Sequence, residues 1–304
     1  MQTQTGKRGR LTRILSIGAL AVLILTVVIT FLSLSYFETD PKGQLASLAE
    51  DPLELPTEPP AETAPPETEP PVTEPPLLDL PLNPYGDLDF QYEGRYLKCL
   101  RTETVTGIDV SAHQQEIDWA KVAASGVDFA MVRVGYRGYE SGKLVVDPYA
   151  EANLVGAAEA GLETGVYFFS QALNVEEALE EAAFLLEAIA DYEITMPVVF
   201  DWETVHDESA RSKEMDPRTL TDCALAFLGA VEEAGYTPMI YFNTYQSRNL
   251  LYLEELKDYE FWLAMYTSRM DFPYAVKMWQ YTDTGRVPGI SGNADINVYF
   301  PEVG

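Results

Sequence analysis

The sequence has few residues of the kinds that form metal sites, disulfide frameworks or nucleic-acid surfaces. Its 304 residues include only 2 Cys and 2 His, without ligand spacing, so a zinc site and a disulfide scaffold are both disfavoured. Lys and Arg number 20 against 48 Asp and Glu, a formal net charge of -28. This balance argues against a nucleic-acid partner, because a duplex-binding surface neutralises phosphates with basic side chains. A Gly-rich phosphate loop, a Ser nucleophile elbow and a CxxC motif are also absent from the sequence.

The first 37 residues differ in composition from the rest. Residues 14–37 carry no charge, and all four cations of this stretch precede them. A helix of that length reaches roughly 36 Å, enough to cross a hydrocarbon core of about 30 Å. The positive-inside rule then predicts a basic cytoplasmic tail at 1–13, a transmembrane helix at 14–37 and an extracellular remainder. A cleaved signal peptide is the alternative, although the apolar run is long and no small-x-small site follows it.

Residues 38–101 are predicted to be a disordered, extracellular Pro/Glu/Thr-rich linker. Twelve of the 20 prolines lie within residues 51–84, where the sequence TEPP occurs three times. Such a tract forms neither a helix nor a central strand, and its carboxylates repel one another. In a polyproline II conformation these residues would span up to about 100 Å. We therefore expect a tether that holds a folded domain away from a membrane.

Residues 102–304 show the pattern of a folded domain in which strands alternate with helices. The pattern predicts eight strands, at 104–111, 128–136, 164–170, 197–203, 238–243, 260–266, 276–281 and 294–300. It predicts five helices, at 119–124, 149–160, 175–192, 219–234 and 245–256. The last three strands are too close together for ordinary intervening helices. We predict an α/β fold, an irregular TIM-like (β/α) barrel with eight strands and fewer helices; an open doubly wound sheet is the alternative.

Acidic residues stand where several of these strands end. Asp109 ends the first strand, Asp201 and Glu203 end the fourth, and Asp295 lies on the last. Residues two apart on a strand face the same way, about 6.5 to 7 Å apart at Cα. Catalytic groups of β/α barrels lie at these strand ends. Crowded carboxyl groups raise one another's pKa, so that one stays protonated while another is ionised, as glycoside hydrolysis requires.

Other interpretations of these polar residues remain open from the residues alone. The acids could cap helices or pair with arginines, and as a cluster they could hold Mg²⁺ or Ca²⁺. His113 and His206 follow the first and fourth strands, where they could assist catalysis or simply be solvated. Cys99 and Cys223 could form a disulfide outside the cell, although Cys223 lies on an apolar helix face that is typical of a small core residue.

Aromatic residues cluster at the same strand ends. Tyrosine and tryptophan offer sugar rings both a stacking surface and polar handles. Among them, the predicted substrate-binding residues are Tyr136, Tyr167, Tyr241 and Tyr266.

A series of segments resembles one known family over about residues 102–301. The segments are GIDVSAHQQEIDW (107–119), DFAMVRVGYRG (128–138), GVYFFSQA (165–172), PVVFDWE (197–203), AGYTPMIYFN (234–243), FWLAMY (261–266), and WQYT (279–282) followed by GISGNADIN (289–297). They are similar to glycoside hydrolase family 25, the Chalaropsis-type lysozymes or N-acetylmuramidases. The resemblance implies an irregular β/α barrel that cleaves the β-1,4 bond between N-acetylmuramic acid and N-acetylglucosamine in peptidoglycan.

The resemblance also implies roles for particular residues. Glu203 matches the proton donor, and Asp201 matches the partner carboxylate, which stabilises the cationic centre or orients the substrate's N-acetyl group. Asp109 and Asp295 match supporting acids at the floor of the cleft. Gln280, in the WQYT segment, is predicted to bind substrate with the tyrosines. We expect no metal and no cofactor.

These expectations combine into one hypothesis about the whole chain. We expect a bacterial single-pass protein of the cell membrane, N-terminus cytoplasmic, whose extracellular domain acts as a monomer on peptidoglycan glycan strands during wall remodelling. The alternatives are a wall-binding module without turnover and a divalent-metal-dependent hydrolase that uses the same carboxylates.

Overall fold

The structure, a computed structural model, describes residues 77–303. The strands are β1 (Phe90–Glu93), β2 (Tyr96–Cys99), β3 (Val105–Val110), β4 (Phe129–Arg137), β5 (Leu144–Val146), β6 (Glu163–Ser170), β7 (Val198–Trp202), β8 (Pro238–Asn243), β9 (Glu260–Ala264), β10 (Met278–Gly285) and β11 (Ala294–Tyr299). The helices are α1 (Trp119–Ala124), α2 (Ala150–Glu159), α3 (Val175–Ile189), α4 (Pro217–Glu233) and α5 (Thr244–Asn249). Two short 3-10 helices cover Asp87–Asp89 and Leu253–Leu256.

Eight strands close into a barrel in chain order. The strands β3, β4, β6, β7, β8, β9 and β10 are parallel to their neighbours, and β11 closes the ring antiparallel to both β10 and β3. All eight predicted strands are present, so the prediction of an irregular eight-stranded barrel is confirmed and the open sheet is wrong. Between β9 and β11, where every residue is described, the chain forms no helix.

The predicted helix at 245–256 is divided in two. The helix α5 ends at Asn249, and a 3-10 turn follows at Leu253–Leu256. Between them the main-chain N–H of Tyr252 bonds to the hydroxyl of Thr221 on α4, 3.1 Å away. This tertiary contact takes a donor that a continuous helix would need.

The long helices begin at side-chain caps and pack on the outside of the barrel. Asn174 accepts a main-chain hydrogen bond at the start of α3, and Asp216 accepts two at the start of α4, where Pro217 occupies the first turn. Leu185 of α3 and Phe227 of α4 are fully buried against the sheet.

The interior of the barrel is apolar away from the carboxyl ends of its strands. Two inward-facing glycines make room for the packing: a Cβ at Gly107 would lie 2.1 Å from the Phe129 ring, and one at Gly165 would lie 2.5 Å from the sulfur of Met131. The buried interior cluster also includes Met239, Trp262 and Met278. Inward-facing polar residues are therefore concentrated at the carboxyl ends.

A β-hairpin precedes the barrel and packs against it. Strands β1 and β2 pair antiparallel, and the Phe90 ring lies 5.1 Å from the Trp279 ring, centroid to centroid. The main-chain N–H of Leu97 donates to the hydroxyl of Tyr281 at 3.2 Å. The folded part therefore starts earlier than residue 102, where the sequence pattern places the end of the linker. The reason is that four-residue strands give almost no periodic signal.

The predicted N-terminal segments lie outside the structure, whereas both cysteines lie within it. The predicted tail at 1–13, the transmembrane helix at 14–37 and the linker up to residue 76 lie outside the described residues. Within 77–303, none of the helices has the length and apolarity needed to cross a bilayer. Cys99 and Cys223 are both buried free thiols.

Candidate active site

A cavity of about 290 Å³ opens at the carboxyl ends of the barrel strands. It is bounded by acids, aromatics and one arginine. The lining residues are Asp109, Ser111, His113, Gln114, Arg133, Tyr167, Phe169, Asp201, Glu203, Tyr241, Trp262, Tyr266, Gln280 and Asp295. The structure thus places all four predicted acids in one cavity.

The strand register explains how the four acids come together. Asp109 on β3 lies opposite Asp295 on β11, across the seam that closes the barrel. Asp201 is the fourth residue of β7, and Glu203 follows the strand directly with its side chain on the same face. One pair of carboxyl groups therefore comes from two adjacent strands, and the other comes from the end of the single strand β7.

A hydrogen-bond network favours the ionised form of Asp109. The indole N–H of Trp262 can only donate, and it bonds to Oδ1 of Asn297 at 2.9 Å. The Asn297 amide nitrogen therefore faces Asp109 and donates to Oδ2 at 2.8 Å. The Gln280 amide nitrogen donates to the same oxygen at 2.8 Å. Two N–H donors on one oxygen stabilise the ionised carboxylate.

Asp295 is the carboxyl partner of Asp109 across the barrel seam. The two groups are close enough for each to affect the pKa of the other. Burial, with the neighbouring Asp109 carboxylate, raises the pKa of Asp295 to about 9. Burial also raises the pKa of Asp109, but the hydrogen bonds from Asn297 and Gln280 oppose that shift. These opposing effects favour the ionised form of Asp109 and the protonated form of Asp295.

Asp201 and Glu203 form the second carboxyl pair. Burial raises the pKa of Asp201 well above its ordinary value; the Glu203 and Asp109 carboxylates add to this shift and Arg133 opposes it. Burial and the charge of Asp109 raise the pKa of Glu203. Asp201 is 4% exposed, whereas Glu203 is half-buried and reaches the open cavity. Because like charges this close do not ionise together readily, we infer that this pair also retains a proton near neutral pH.

Comparison with known proteins identifies the family. Residues 108–290, more than half of the chain, match the family described as glycosyl hydrolases family 25. The chain belongs to this family.

Several known proteins are similar to about two thirds of the chain. The uncharacterized protein YegX of Escherichia coli (strain K12) is 32% identical over 202 residues, 64% of this chain and 70% of YegX. Lysozyme M1 of Streptomyces globisporus is 28% identical over 225 residues, 65% of this chain and 68% of that protein. The modular autolysin LytC from Streptococcus pneumoniae, solved with a synthetic peptidoglycan ligand, superposes with a TM-score of 0.59 at 26% identity. That match covers 65% of this chain and 47% of LytC, so the chain spans about half of the autolysin's length.

In this family 25 chain, Arg133 is the arginine of the cavity and is held by a buried acid. Its Nε and Nη2 atoms both lie 2.8 Å from Oδ2 of Asp147, whose side chain has no exposed surface. The same oxygen accepts the main-chain N–H of Ala112, which follows β3, at 3.0 Å. Asp147 therefore fixes both the guanidinium and the loop that carries His113. The sequence pattern does not reveal Asp147; the D-P pair at 147–148 indicates only a turn before a helix.

Four of the five predicted substrate-binding residues line the cavity of the family 25 domain. Tyr241 and Tyr266 donate to Oε1 of Gln280 at 2.9 and 3.1 Å, and Gln280 in turn donates to Asp109. Gln280 is thus bonded on both sides within the protein. Tyr167 lines the cavity between these groups. Tyr136 does not line it; its ring lies 5.4 Å from the guanidinium carbon of Arg133.

The two histidines and the possible metal site are the remaining candidates from the sequence. His113 lines the cavity and His206 does not. Within residues 77–303, no group of three or more His, Cys, Asp and Glu side chains is arranged to hold a metal ion.

Proposed function

We propose that this chain hydrolyses peptidoglycan as a lysozyme, cutting the β-1,4 bond between N-acetylmuramic acid and N-acetylglucosamine. The observation that carries the proposal is the pair of carboxyl groups at the end of β7, Asp201 and Glu203, which faces a cavity with aromatic walls. The similarity to Lysozyme M1 and to the autolysin solved with a peptidoglycan ligand supports this substrate class. Digestion of purified peptidoglycan, with assay of the reducing ends released, tests the proposal.

Glu203 is the proposed proton donor. It lies beyond the strand end, where a bound glycan can reach it, and its pKa is raised. A carboxyl group that keeps its proton near neutral pH can protonate the glycosidic oxygen as the bond breaks. While Glu203, the more exposed member of the pair, holds the proton, Asp201 is the anion; Glu203 becomes a carboxylate when it gives that proton to the leaving oxygen.

Asp201 is the proposed anion beneath the reacting carbon. Burial disfavours its ionised form, but the nearby Arg133 charge opposes that effect, and a proton on Glu203 removes the repulsion from the neighbouring carboxylate. An anion there stabilises the oxocarbenium-like centre directly, or orients the substrate's N-acetyl group to do so. Asp109 and Asp295 form the floor beside this pair.

The Arg133 charge sets the pH range of activity. The active form carries one proton on the Asp201–Glu203 pair, so activity falls at low pH as the second proton binds. The substitution Arg133→Met removes the cation that opposes protonation of Asp201. The acid limb of kcat/KM should therefore move to higher pH, by about one unit.

Measurement of kcat/KM against pH, with Arg133→Lys as the matched variant that keeps the charge, checks this prediction. Since Arg133→Met leaves the buried Asp147 unpaired, the double variant Arg133→Met/Asp147→Asn separates the charge effect from loss of stability. An unchanged acid limb in the folded double variant would contradict the role given to Arg133.

Activity is expected to persist in EDTA, because proton donation and charge stabilisation come from side chains of this chain. Release of reducing ends from peptidoglycan in EDTA, with and without added Mg²⁺ or Ca²⁺, is the measurement. Loss of activity with rescue by a divalent ion would favour the metal-dependent hydrolase. Binding to peptidoglycan without any release would favour the wall-binding module.

We propose further that residues 14–37 anchor the protein in the cell membrane, with the N-terminus cytoplasmic and the family 25 domain outside. We also propose that the protein acts as a monomer. The uncharged run and the four preceding cations support this arrangement. Protease added to intact protoplasts should remove the domain while a tag at the N-terminus stays protected. Recovery of the full chain in the soluble fraction would contradict the anchor.

A further inference from the structure

The strand that carries the proposed acid stops being paired just before it. Strand β7 pairs with β6 as far as Trp202, opposite Ser170, and with β8 as far as Asp201, opposite Tyr241. Glu203 therefore lies beyond both ladders. Buried main-chain carbonyl groups at such a strand end need other hydrogen-bond donors. In this structure two buried glutamine side chains supply them, one from each side of the strand.

Gln246 binds the strand end from the β8 side. Its amide nitrogen donates to the main-chain carbonyl of Trp202. Its Oε1 accepts the main-chain N–H of Asn243 at 2.8 Å, and Oδ1 of Asn243 accepts the N–H of Gln246 at 3.0 Å. Because a main-chain N–H can only donate, this capping box at the start of α5 also fixes which end of the Gln246 amide faces Trp202.

Gln171 binds the strand end from the β6 side. Its amide nitrogen donates to the main-chain carbonyl of Glu203 at 2.9 Å and to that of Ser170 at 2.8 Å. Its Oε1 accepts the hydroxyl of Ser212. Both carbonyl groups only accept, so the amide has one possible orientation. Gln171 has no exposed surface, and its own N–H donates to the buried carboxyl of Glu181 at 3.3 Å.

We propose that Gln171 and Gln246 are positioning residues for Glu203. This inference rests on the proposed function and deepens it. Neither glutamine lines the cavity, so neither contacts the reacting atoms. In the described part of the chain no hydrogen bond holds the Glu203 carboxyl itself, so its placement depends on its main chain. A displacement of about 1 Å can cost about 100-fold in rate, which makes control of this strand end important for catalysis.

Dependence on the leaving group distinguishes a positioning role from a merely structural one. A sugar leaves as an alcohol and needs protonation by the acid, whereas a dinitrophenolate leaves without it. The two substrates are the soluble tetrasaccharide of two N-acetylglucosaminyl-N-acetylmuramic acid units and the 2,4-dinitrophenyl β-glycoside of one such disaccharide. A displaced Glu203 slows only the first, whereas partial unfolding slows both equally.

The substitution Gln171→Met keeps the side-chain length and removes the amide. We expect kcat/KM on the tetrasaccharide to fall about 30- to 100-fold and kcat/KM on the aryl glycoside, which covers only the steps up to departure of the dinitrophenolate, to fall less than about 3-fold. Gln246→Met should likewise lower the ratio of the rate on the tetrasaccharide to the rate on the aryl glycoside. Gln91→Met, on the exposed face of β1, is the matched control and should leave both rates unchanged.

Thermal unfolding of each variant shows whether it is folded. Should Gln171→Met not fold, Ser212→Ala removes only the hydroxyl that orients Gln171, and a shift of about 3- to 10-fold in the ratio is then expected. Equal losses on both substrates in a folded variant would overturn the inference while leaving the proposed function intact. A wild-type protein inactive on both substrates would contradict the proposed function, and this inference with it.

Discussion

Replacing Glu203 with Gln is expected to lower the release of reducing ends from purified peptidoglycan by about 1,000-fold or more. Gln has the same shape but no proton to give, so the sugar leaving group would depart as an unprotonated alkoxide. The structure places Glu203 half-buried in the cavity with a raised pKa, directly after the strand β7 that carries Asp201.

The aryl glycoside provides the internal control for this variant. Its dinitrophenolate needs no protonation, so Glu203→Gln should retain most of its kcat/KM on that substrate, within about 10-fold; kcat/KM does not include the later attack of water, in which the same residue acts as a base. Near-normal activity on peptidoglycan in the folded variant would contradict the assignment of the acid.

Replacing Asp201 with Asn is expected to lower activity on both substrates, by about 1,000-fold each. An anion at this position stabilises positive charge at the reacting carbon, or orients the N-acetyl group, whichever leaving group departs. The two isosteric substitutions at 201 and 203 thus predict different patterns: one depends on the leaving group and the other does not.

Asp295→Asn is the matched comparison for Asp201→Asn. Burial and the Asp109 carboxylate raise the pKa of Asp295 to about 9, which favours its protonated form at neutral pH, so we expect Asp295→Asn to cost far less than removing the charge of Asp201. The measurement is kcat on both substrates at pH 7, with thermal unfolding as the control. An Asp201→Asn variant that loses activity only on the tetrasaccharide would exchange the roles of Asp201 and Glu203.

Much of the barrel could be predicted because each strand leaves a local signal. An apolar run that ends in a polar residue, such as the run that ends at Asp201, indicates a buried strand and its carboxyl end. The hairpin of β1 and β2 could not be predicted in this way. Its strands are four residues each, and their stability comes from contacts such as that of Phe90 with Trp279, far away in sequence.

The site shows the same division between local and distant information. The four acids could be predicted because strand periodicity and the β/α architecture bring strand ends together. Asp147, Gln171 and Gln246 could not be, because each acts on a distant partner: Gln171 binds a carbonyl 32 residues away and Gln246 one 44 residues away. Tyr136 is placed at a strand end by its sequence position, but it lies against the Arg133 guanidinium and does not line the cavity.

Mass spectrometry of digested peptidoglycan tests the central proposal most directly. Purified sacculi are treated with the family 25 domain, the new reducing ends are reduced with borohydride, and the fragments are identified. Cleavage between N-acetylmuramic acid and N-acetylglucosamine predicts disaccharide fragments that end in reduced N-acetylmuramic acid, and none from Glu203→Gln. Fragments that end in reduced N-acetylglucosamine, or no fragments from the wild-type protein, would contradict it.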